Sequence, residues 1–326
     1  MSDKQIIDGI LYRKAFPETD DEKVLSLYNC AFNRTISMEV FRWLNYSCPF
    51  GPNRLYIAEE QTTSSIVGSW GLLPYKVKFN DEVVGASLAT NLVTHPCYQR
   101  RGIFLNVVRF ALAQEERYGS KISLNAPNKM SLMGLAALSG YLKVGFETIS
   151  DLDFIVNYNN KPEQFKATKV GRFSEKFDLL LSTSIDKMKF AVFKDHRFLN
   201  WRYFDRPDQE YHVYSYQDEN TVSGFIVLKY FEENGYKKAH ILDIYAINEH
   251  VFNDLLNVAK SFAFTRNCQE LNCWQIRNSP YAPWFYKRGF ELSANKYALM
   301  LSNNFGVKKA LISQDWWFML GDNDSY

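Results

Sequence analysis

Apolar and polar positions along the chain fall into two rhythms, one of period two and one near 3.6, which separate strands from helices. Leu11–Phe16 predicts a short strand. Thr19, with Glu22 three residues on, predicts the N-cap of a helix carrying Val24, Leu25, Leu27, Tyr28 and Ala31. Ser37 opens a second helix with Phe41, Trp43 and Leu44, ended near Pro49. Leu55–Glu59 and Ile66–Leu73 predict strands around the polar turn Gln61–Ser65. Tyr75–Phe79 and Val83–Thr94 predict a hairpin joined at Asn80-Asp81. The run Ser87–Thr94 is uncharged and stops at Pro96, which has no N–H for a ladder. Helical spacing returns over Ile103–Tyr118 through Phe104, Val107, Val108, Ala111 and Leu112. Lys121–Leu124 predicts a strand running into Asn125-Ala126-Pro127-Asn128. Ser131–Leu138 predicts a helix, and Tyr141–Glu147 leads to a last strand, Asp153–Val156.

The turn-rich stretch Asn157–Lys161, followed by Pro162, predicts a boundary between domains 1–160 and 161–326. The second half repeats landmarks of the first. Trp43 and Tyr56 are 13 apart, as are Trp201 and Tyr214. Gly68 closes a turn after Ile66-Val67, and Gly224 after Val222-Ser223. Late in each half stand Gly145-Phe146-Glu147 and Gly289-Phe290-Glu291. Landmarks in one order over comparable spans predict a duplicated domain. Strand Ala239–Ile247 is followed by a helix through Leu255, Leu256, Val258, Ala259 and Phe262, with no basic turn between them. Glu249 there repels phosphate, so the second half is expected to keep the scaffold without the anion site. The apolar terminus Asp315–Asp322 is expected to dock on the body rather than fray.

Candidate chemistry centres on Gln99, Arg100, Arg101 and Gly102, between the uncharged strand and the amphipathic helix. A helix start offers free N–H groups and the positive end of its dipole, Gly102 allows close approach, and the arginines add charge. A phosphate or pyrophosphate fits. The spacing lacks the Gly-Lys-Ser/Thr ending of a Walker loop and the three glycines of a dinucleotide fingerprint. It resembles motif A of the GNAT superfamily of acyl-CoA-dependent N-acyltransferases, with Gln99, Arg100, Arg101, Gly102, Ile103 and Phe104 in the motif positions. Phe104 departs from the small residue common there. The element order resembles the GNAT fold, and Tyr141 through Gly145-Phe146 is similar to a late motif of the family. The resemblance implies an α/β (α+β) class: two tandem GNAT-like domains, each a mixed, mostly antiparallel sheet flanked by helices.

It also implies that backbone groups of Leu92, Val93 and Thr94 hold the pantetheine arm and thioester. Tyr141 is the nearest match to the tyrosine that protonates the leaving thiolate. Asn128 and Ser131 are placed to face the CoA arm, and Asn125 to orient the amine or a water. Thr90 and Asn91 stand where many relatives carry a carboxylate, and His95 reads as a turn histidine, so no general base stands out. Asp243 is a candidate if its strand faces the cleft. Trp201, Arg202 and Tyr203, with Trp274 and Arg277, offer stacking faces and guanidinium groups for an acceptor bearing a diphosphate. The whole chain resembles the tandem-GNAT sugar N-acyltransferases of bacterial surface-polysaccharide (lipopolysaccharide or O-antigen) pathways, of the FdhC type. That implies transfer of a 3-hydroxybutanoyl or acetyl group to a nucleotide-linked 3-amino-3,6-dideoxyhexose. Other amines (an aminoglycoside, a polyamine, a protein lysine) and a non-catalytic CoA-binding module stay open.

Composition changes this picture little. With 326 residues and 46% hydrophobic content the chain is large enough for two cores, and 20 Tyr with 25 Phe suit stacking clefts. A net charge of +2 gives no nucleic-acid surface. No apolar run reaches membrane-spanning length, and Met-Ser-Asp-Lys-Gln lacks a signal-peptide apolar region. The five cysteines (Cys30, Cys48, Cys97, Cys268, Cys273) lack metal-ligand spacing and read as reduced thiols in a cytoplasmic protein. Acyl-CoA and an amine are therefore the expected small-molecule partners, without a metal, nucleic acid or membrane. The oligomeric state stays open.

Overall fold

The computed structural model describes residues 3–127, 135, 141–143, 149–153, 163–219, 221–275, 279–297, 299–303 and 316–324. The first half supplies strands β1 (Lys4–Ile7), β2 (Ile10–Lys14), β3 (Arg54–Glu60), β4 (Ser65–Phe79), β5 (Glu82–Thr94), β6 (Ile122–Asn125), β7 (Tyr141–Lys143) and β8 (Ile149–Asp153). Its helices are α1 (Pro17–Phe32), α2 (Met38–Tyr46) and α3 (Ile103–Glu115). The second half supplies β9 (Thr168–Lys169), β10 (Phe190–Val192), β11 (His212–Gln217), β12 (Val222–Glu233), β13 (Tyr236–Ala246), β14 (Glu270–Gln275), β15 (Glu291–Tyr297), β16 (Met300–Asn303) and β17 (Trp316–Trp317). Its helices are α4 (Lys176–Asp186), α5 (His196–Tyr203), α6 (Glu249–Thr265) and α7 (Ala282–Lys287).

Two sheets result. One runs β1-β2-β3-β4-β5-β6-β16-β7, with β10 on the far end of β4 and β17 beside β10; the other runs β15-β8-β14-β13-β12-β11-β9. Each half lends strands to the other sheet. β8 lies between β14 and β15, and β16 between β6 and β7. The predicted boundary at residue 160 is therefore crossed in both directions. A continuous buried cluster joins the halves, containing Trp43, Leu73, Tyr75 and Leu88 together with Phe198, Trp201, Phe225 and Ile241.

Within the first half, α1 and α2 cover one sheet face, packing Val24, Leu27, Tyr28 and Phe41 with Ile57, Ile66 and Val93. A separate cluster sets Val107, Val108 and Ala111 of α3 against Tyr12, Tyr56, Trp70 and Leu72.

The duplication has direct structural counterparts. Ser37 Oγ accepts from the Val40 N–H to cap α2, and Asp195 Oδ1 accepts from the Phe198 N–H to cap α5. Trp43 and Trp201, both six residues beyond those caps, stack with ring centroids 4.9 Å apart. Their indoles exchange bonds: Trp43 Nε1 donates to the Trp201 carbonyl (2.9 Å), and Trp201 Nε1 to the Trp43 carbonyl (3.4 Å). Such reciprocity is the signature of a two-fold relation between the halves.

Gly68 and Gly224 lie inside β4 and β12 rather than closing turns. Gly68 pairs with Thr94 at the end of β5, and Gly224 with Ala246 at the end of β13. At each a helix crosses so closely that a Cβ would lie 2.7 Å from Ile103 Cγ2 or 2.5 Å from Val251 Cγ1.

Three further sequence expectations are revised. The N-cap of α1 is Phe16, not Thr19: Pro17 takes the first helical position and the Asp20 carboxylate accepts the Phe16 N–H. The two strands predicted on either side of Pro74 are one, β4, with Pro74 opposite Ser87. Helical structure through Tyr118 finishes as a short 3₁₀ turn over Glu116–Tyr118. The segment Ser131–Leu138, apart from Leu135, Gly145-Phe146-Glu147 and Phe154–Val156 lie outside the described residues.

Candidate acyl-CoA and acceptor site

Between β5 and α3 the chain makes the basic turn. Pro96–Tyr98 forms a 3₁₀ turn, and His95 Nδ1 accepts from the Cys97 N–H at 3.2 Å. Arg100 (φ 64°) and Gly102 (φ 76°) are left-handed, folding the backbone back into the start of α3. Gln99, Arg100, Arg101 and Gly102 are exposed, while Ile103 plugs into the core beneath. The Arg101 guanidinium lies 4.9 Å from the Tyr98 ring centroid. Neither Arg100 nor Arg101 has a carboxylate within ion-pair distance among the described residues. The turn thus presents two cations and the positive end of a 13-residue helix to solvent. Phe104 is half-buried and packs with the α3 cluster, which accounts for a large residue at that place.

Below the turn the sheet parts. The parallel ladder of β5 with β6 covers Ala86–Leu88 against Ile122–Leu124, whereas β5 runs on to Thr94. A bulge sets Asn91 and Leu92 opposite Trp70, with Asn91 at φ 44°. The strands therefore splay beyond Leu88, and Ala89–Leu92 face Asn125–Pro127 across a cavity of about 810 Å³. Leu92 leans on the α3 cluster and Val93 on the α1–α2 cluster. The Thr94 hydroxyl is buried without a hydrogen-bond partner among the described residues.

The cavity lies on the α1–α2 side. Tyr28, Phe32, Phe41, Trp43 and Trp274 give it aromatic walls. Arg34 lies 5.0 Å from the Phe32 ring centroid, and Arg206 lies 5.1 Å from that of Trp43. Arg206 is bound to Asp208 at 2.8 Å. Burial alone would raise the Asp208 carboxyl, but the bonds and charge of Arg206 outweigh it and hold it below the usual carboxylate range. Beneath the cavity, Asn53 Nδ2 donates to Asn45 Oδ1 (2.9 Å) and Thr90 Oγ1 (3.0 Å). Gly71 makes room for this network, since a Cβ there would lie 2.3 Å from Thr90 Oγ1. The tail residues Asn323 and Asp324 complete the wall.

Among the expected site residues, the structure brings Leu92, Asn125 and Trp274 to the cavity. Tyr141 lies in β7, separated from β6 by β16. Asn128, Ser131 and Arg277 lie outside the described residues. Trp201, Arg202 and Tyr203 are buried away from the cavity. Arg202 donates from Nε to the Gly321 carbonyl (3.3 Å) and from Nη2 to that of Asn323 (2.9 Å).

Asp243 is wholly buried, 2.6 Å from Lys194 Nζ, and accepts the Tyr203 hydroxyl at 2.5 Å. Lys194 also reaches Asp322 at 2.7 Å. Burial works against the charged Lys194, but the two carboxylates prevail and raise it. An ion cluster sealed in this way has no route to an acceptor. Arg34, Asp208 and Asp324 were not singled out from sequence. The apolar terminus was the one signal for the last of them, through its expected docking.

Residues 12–149 match the model of the acetyltransferase (GNAT) domain family. No curated protein sequence matches the chain. The fold resembles a GCN5-related N-acetyltransferase from Anabaena variabilis (TM-score 0.65, 14% identity, 94% of this chain and 75% of that one). It also resembles Saccharomyces cerevisiae N-myristoyltransferase with bound myristoyl-CoA (TM-score 0.64, 11% identity, 92% and 80%). A third likeness is to a conserved protein of unknown function from Enterococcus faecalis (TM-score 0.60, 15% identity, 81% of this chain). This chain covers 64% of that protein. At such identities the likeness is one of fold, and it supports two tandem GNAT-like domains. The matched family is that of an acetyltransferase (GNAT) domain, and the structures that share this fold include an N-acetyltransferase and an N-myristoyltransferase. Among the described residues no group of His, Cys, Asp and Glu is placed to hold a metal, and no helix is long and apolar enough to cross a membrane.

Proposed function

We propose that the chain transfers a short acyl group, 3-hydroxybutanoyl or acetyl, from acyl-CoA to the amine of a nucleotide-linked 3-amino-3,6-dideoxyhexose. The supporting observation is that β5, which ends at the basic turn, lines the cavity with Ala89–Leu92 where it runs past its ladder with β6. The turn of Gln99, Arg100, Arg101 and Gly102 takes the donor's pyrophosphate. The acyl arm enters the gap beside Leu92, Val93 and Thr94, and Asn125 orients the acceptor from the opposite edge. Holding both reactants at one gap makes attack effectively intramolecular. The amine adds to the thioester carbon, the C–S bond breaks, and no acyl-enzyme is needed. Tyr141 is retained as a candidate proton donor to the thiolate, with Asn128 and Ser131 along the CoA arm and Arg277 toward the acceptor.

Acceptor class follows from the cavity walls. Arg34 beside Phe32, and Arg206 over Trp43, pair a cation with an aromatic face, which suits phosphate and a base. In this reading residues 1–160 bind the donor and residues 161–326 add acceptor walls through Arg206, Gln209 and Trp274. Both substrates are small cytoplasmic metabolites, so the cytoplasm is the proposed location. Asp208 and Asp324 favour a second reading, a polyamine or aminoglycoside acceptor.

A free-thiol assay tests these together, pairing acetyl-CoA and 3-hydroxybutanoyl-CoA with nucleotide-linked amino sugars, an aminoglycoside, a lysine peptide and spermidine. The expected result is fast release with one amino sugar. Release only with spermidine or the aminoglycoside moves the acceptor to the second reading. Binding of CoA without release for any amine leaves a CoA-binding module.

A further inference from the structure

On the α1–α2 face of the first sheet, three polar side-chain atoms are buried without a hydrogen-bond partner among the described residues. They are the hydroxyls of Tyr28 and Ser69, and Asn53 Oδ1. Tyr28 is 1% exposed and lines the cavity, and Ser69 is wholly buried. Ser69 pairs with Val93 across the ladder, and Gly71 with Thr90, so these positions share one face of the sheet. Tyr28 and Val93 belong to the cluster beneath α1. Burial pushes the Tyr28 phenol up, and the neighbouring Ser69 hydroxyl opposes only part of that rise, so the phenol stays a neutral O–H. Asn53 lies over Gly71, two residues along the strand from Ser69, and its Oδ1 offers a further acceptor.

Buried polar atoms left unpaired are costly, and several at one cavity wall call for a ligand that completes their bonds. Two hydroxyls bonded to each other would still leave one O–H and free lone pairs. An ammonium group only donates, and a phosphate or carboxylate only accepts, so either leaves part of the pair unmet. A hydroxyl does both. The place also fits a substrate group: Ser69 stands directly across from Val93, in the stretch Leu92–Thr94 assigned above to the thioester. On the N-acyl transfer reading, we infer that Tyr28 and Ser69 form a subsite that recognises a hydroxyl group of the bound substrate. That hydroxyl is carried either on the acyl chain beside the thioester or on the acceptor beside its amine. No bond is made or broken there, and the two side chains act as specificity residues: a substrate lacking the hydroxyl leaves them unpaired and is disfavoured.

The test compares the unaltered chain with Tyr28→Phe and Ser69→Ala by calorimetric titration, which needs no turnover. One arm sets 3-hydroxybutanoyl-CoA against butanoyl-CoA. The other, with coenzyme A present, sets a nucleotide-linked 3-amino-3,6-dideoxyhexose against its 2-deoxy and 4-deoxy analogues. In one arm the hydroxylated ligand binds the unaltered chain roughly 10- to 100-fold more tightly, because its counterpart leaves buried hydroxyls unpaired. That arm identifies the source of the hydroxyl. Tyr28→Phe weakens the hydroxylated ligand and leaves the other unchanged or tighter, bringing the preference below about threefold, and Ser69→Ala acts in the same direction. Overturning results are a preference below about threefold in both arms of the unaltered chain, or one that both variants leave intact. Equal weakening of both ligands in both variants is a packing effect and overturns the assignment as well. The thiol assay judges the transfer reading separately: hydroxyl-dependent binding without thiol release removes that reading and keeps this subsite.

Discussion

The two halves share a scaffold and differ at the same two places. In the first, residues 95–102 intervene between β5 and α3; in the second, only residues 247–248 lie between β13 and α6. Both helices cross a glycine, so the difference is not in packing but in what happens to the helix start. The first start is exposed and flanked by Arg100 and Arg101. The second is closed by its own chain: Asn248 Oδ1 accepts from the Val251 N–H at 3.0 Å, and Glu249 in the first turn pairs with Lys287. A capped helix start beside a carboxylate has no use for phosphate. The gaps differ in the same sense. β13 also outruns its parallel ladder with β14, which ends at Ile241 and Cys273. There the tail sits: Trp317 is 4.6 Å from the Tyr245 ring, Phe318 is 6.3 Å from Trp274, and Gly321 abuts Asp243. One gap is left as a cavity and its counterpart is filled by the C-terminus. Duplication would let one copy do without the proposed ligand, because its hydrophobic faces still need covering.

The largest expected effect comes from opening the filled gap. Lys194→Met leaves the buried carboxylates Asp243 and Asp322 without their cation, at a cost of roughly 3–5 kcal/mol. Thermal unfolding checks it, and a loss under 1 kcal/mol breaks the view of the tail as a fixed plug. The same cluster predicts an unusual pH response. Burial pushes the Asp322 carboxyl up to about 6, with Asp243 adding to the rise and Lys194 opposing it. The native state then binds a proton that the unfolded state releases, so this group's contribution to stability falls as pH rises from about 4 to about 6. Asp322→Asn should flatten that part of the curve; an unchanged slope assigns it elsewhere.

Next comes the matched glycine pair. Gly224→Ala and Gly68→Ala each press a methyl group into a helix, costing roughly 1–3 kcal/mol. Gly224→Ala is the worse, because the Tyr245 carbonyl also lies 2.8 Å from the new Cβ. Only Gly68→Ala should raise KM for acyl-CoA, since only its helix carries the donor turn. An equal KM rise in both variants would erase the functional distinction between halves. The double variant Arg100→Ala/Arg101→Ala loses charge-assisted bonds worth about 1.5–3 kcal/mol, so KM for acyl-CoA should rise roughly 10- to 100-fold at unaltered melting temperature. Unchanged donor kinetics would remove the phosphate-turn assignment. The smallest effect is at the pseudo-two-fold: Trp43→Phe and Trp201→Phe each delete one indole bond, about 1 kcal/mol. Trp43→Phe should cost more, its bond being shorter. A large asymmetry in the other direction would show that the stack is not the shared element it resembles.

Much of the scaffold was legible because it is written in local pattern. Ser37 caps α2 as its residue type predicts. Thr19 failed as a cap because Pro17 already fixes the helix start two residues earlier. Arg202 misled for a different reason. α5 is buried on nearly every side, so no polar stripe distinguishes an exposed arginine from one clamping a neighbouring chain segment. Asp243 shows the same limit: alternation along β13 places a carboxylate on a strand without saying what stands opposite.

By itself the sequence determined the uncharged strand, the basic turn and the amphipathic helix of the first half, and the weaker copy of that unit in the second. These depend on period, on Gly and Pro, and on charge within about fifteen residues, which is the range over which backbone geometry is set. Only the tertiary structure decided that β8 and β16 change sheets, that Trp43 and Trp201 exchange hydrogen bonds, and that Asn323 and Asp324 face the cavity. A strand of four or five residues has the same pattern in either sheet, and a buried side chain is assigned its partner by packing from distant parts of the chain.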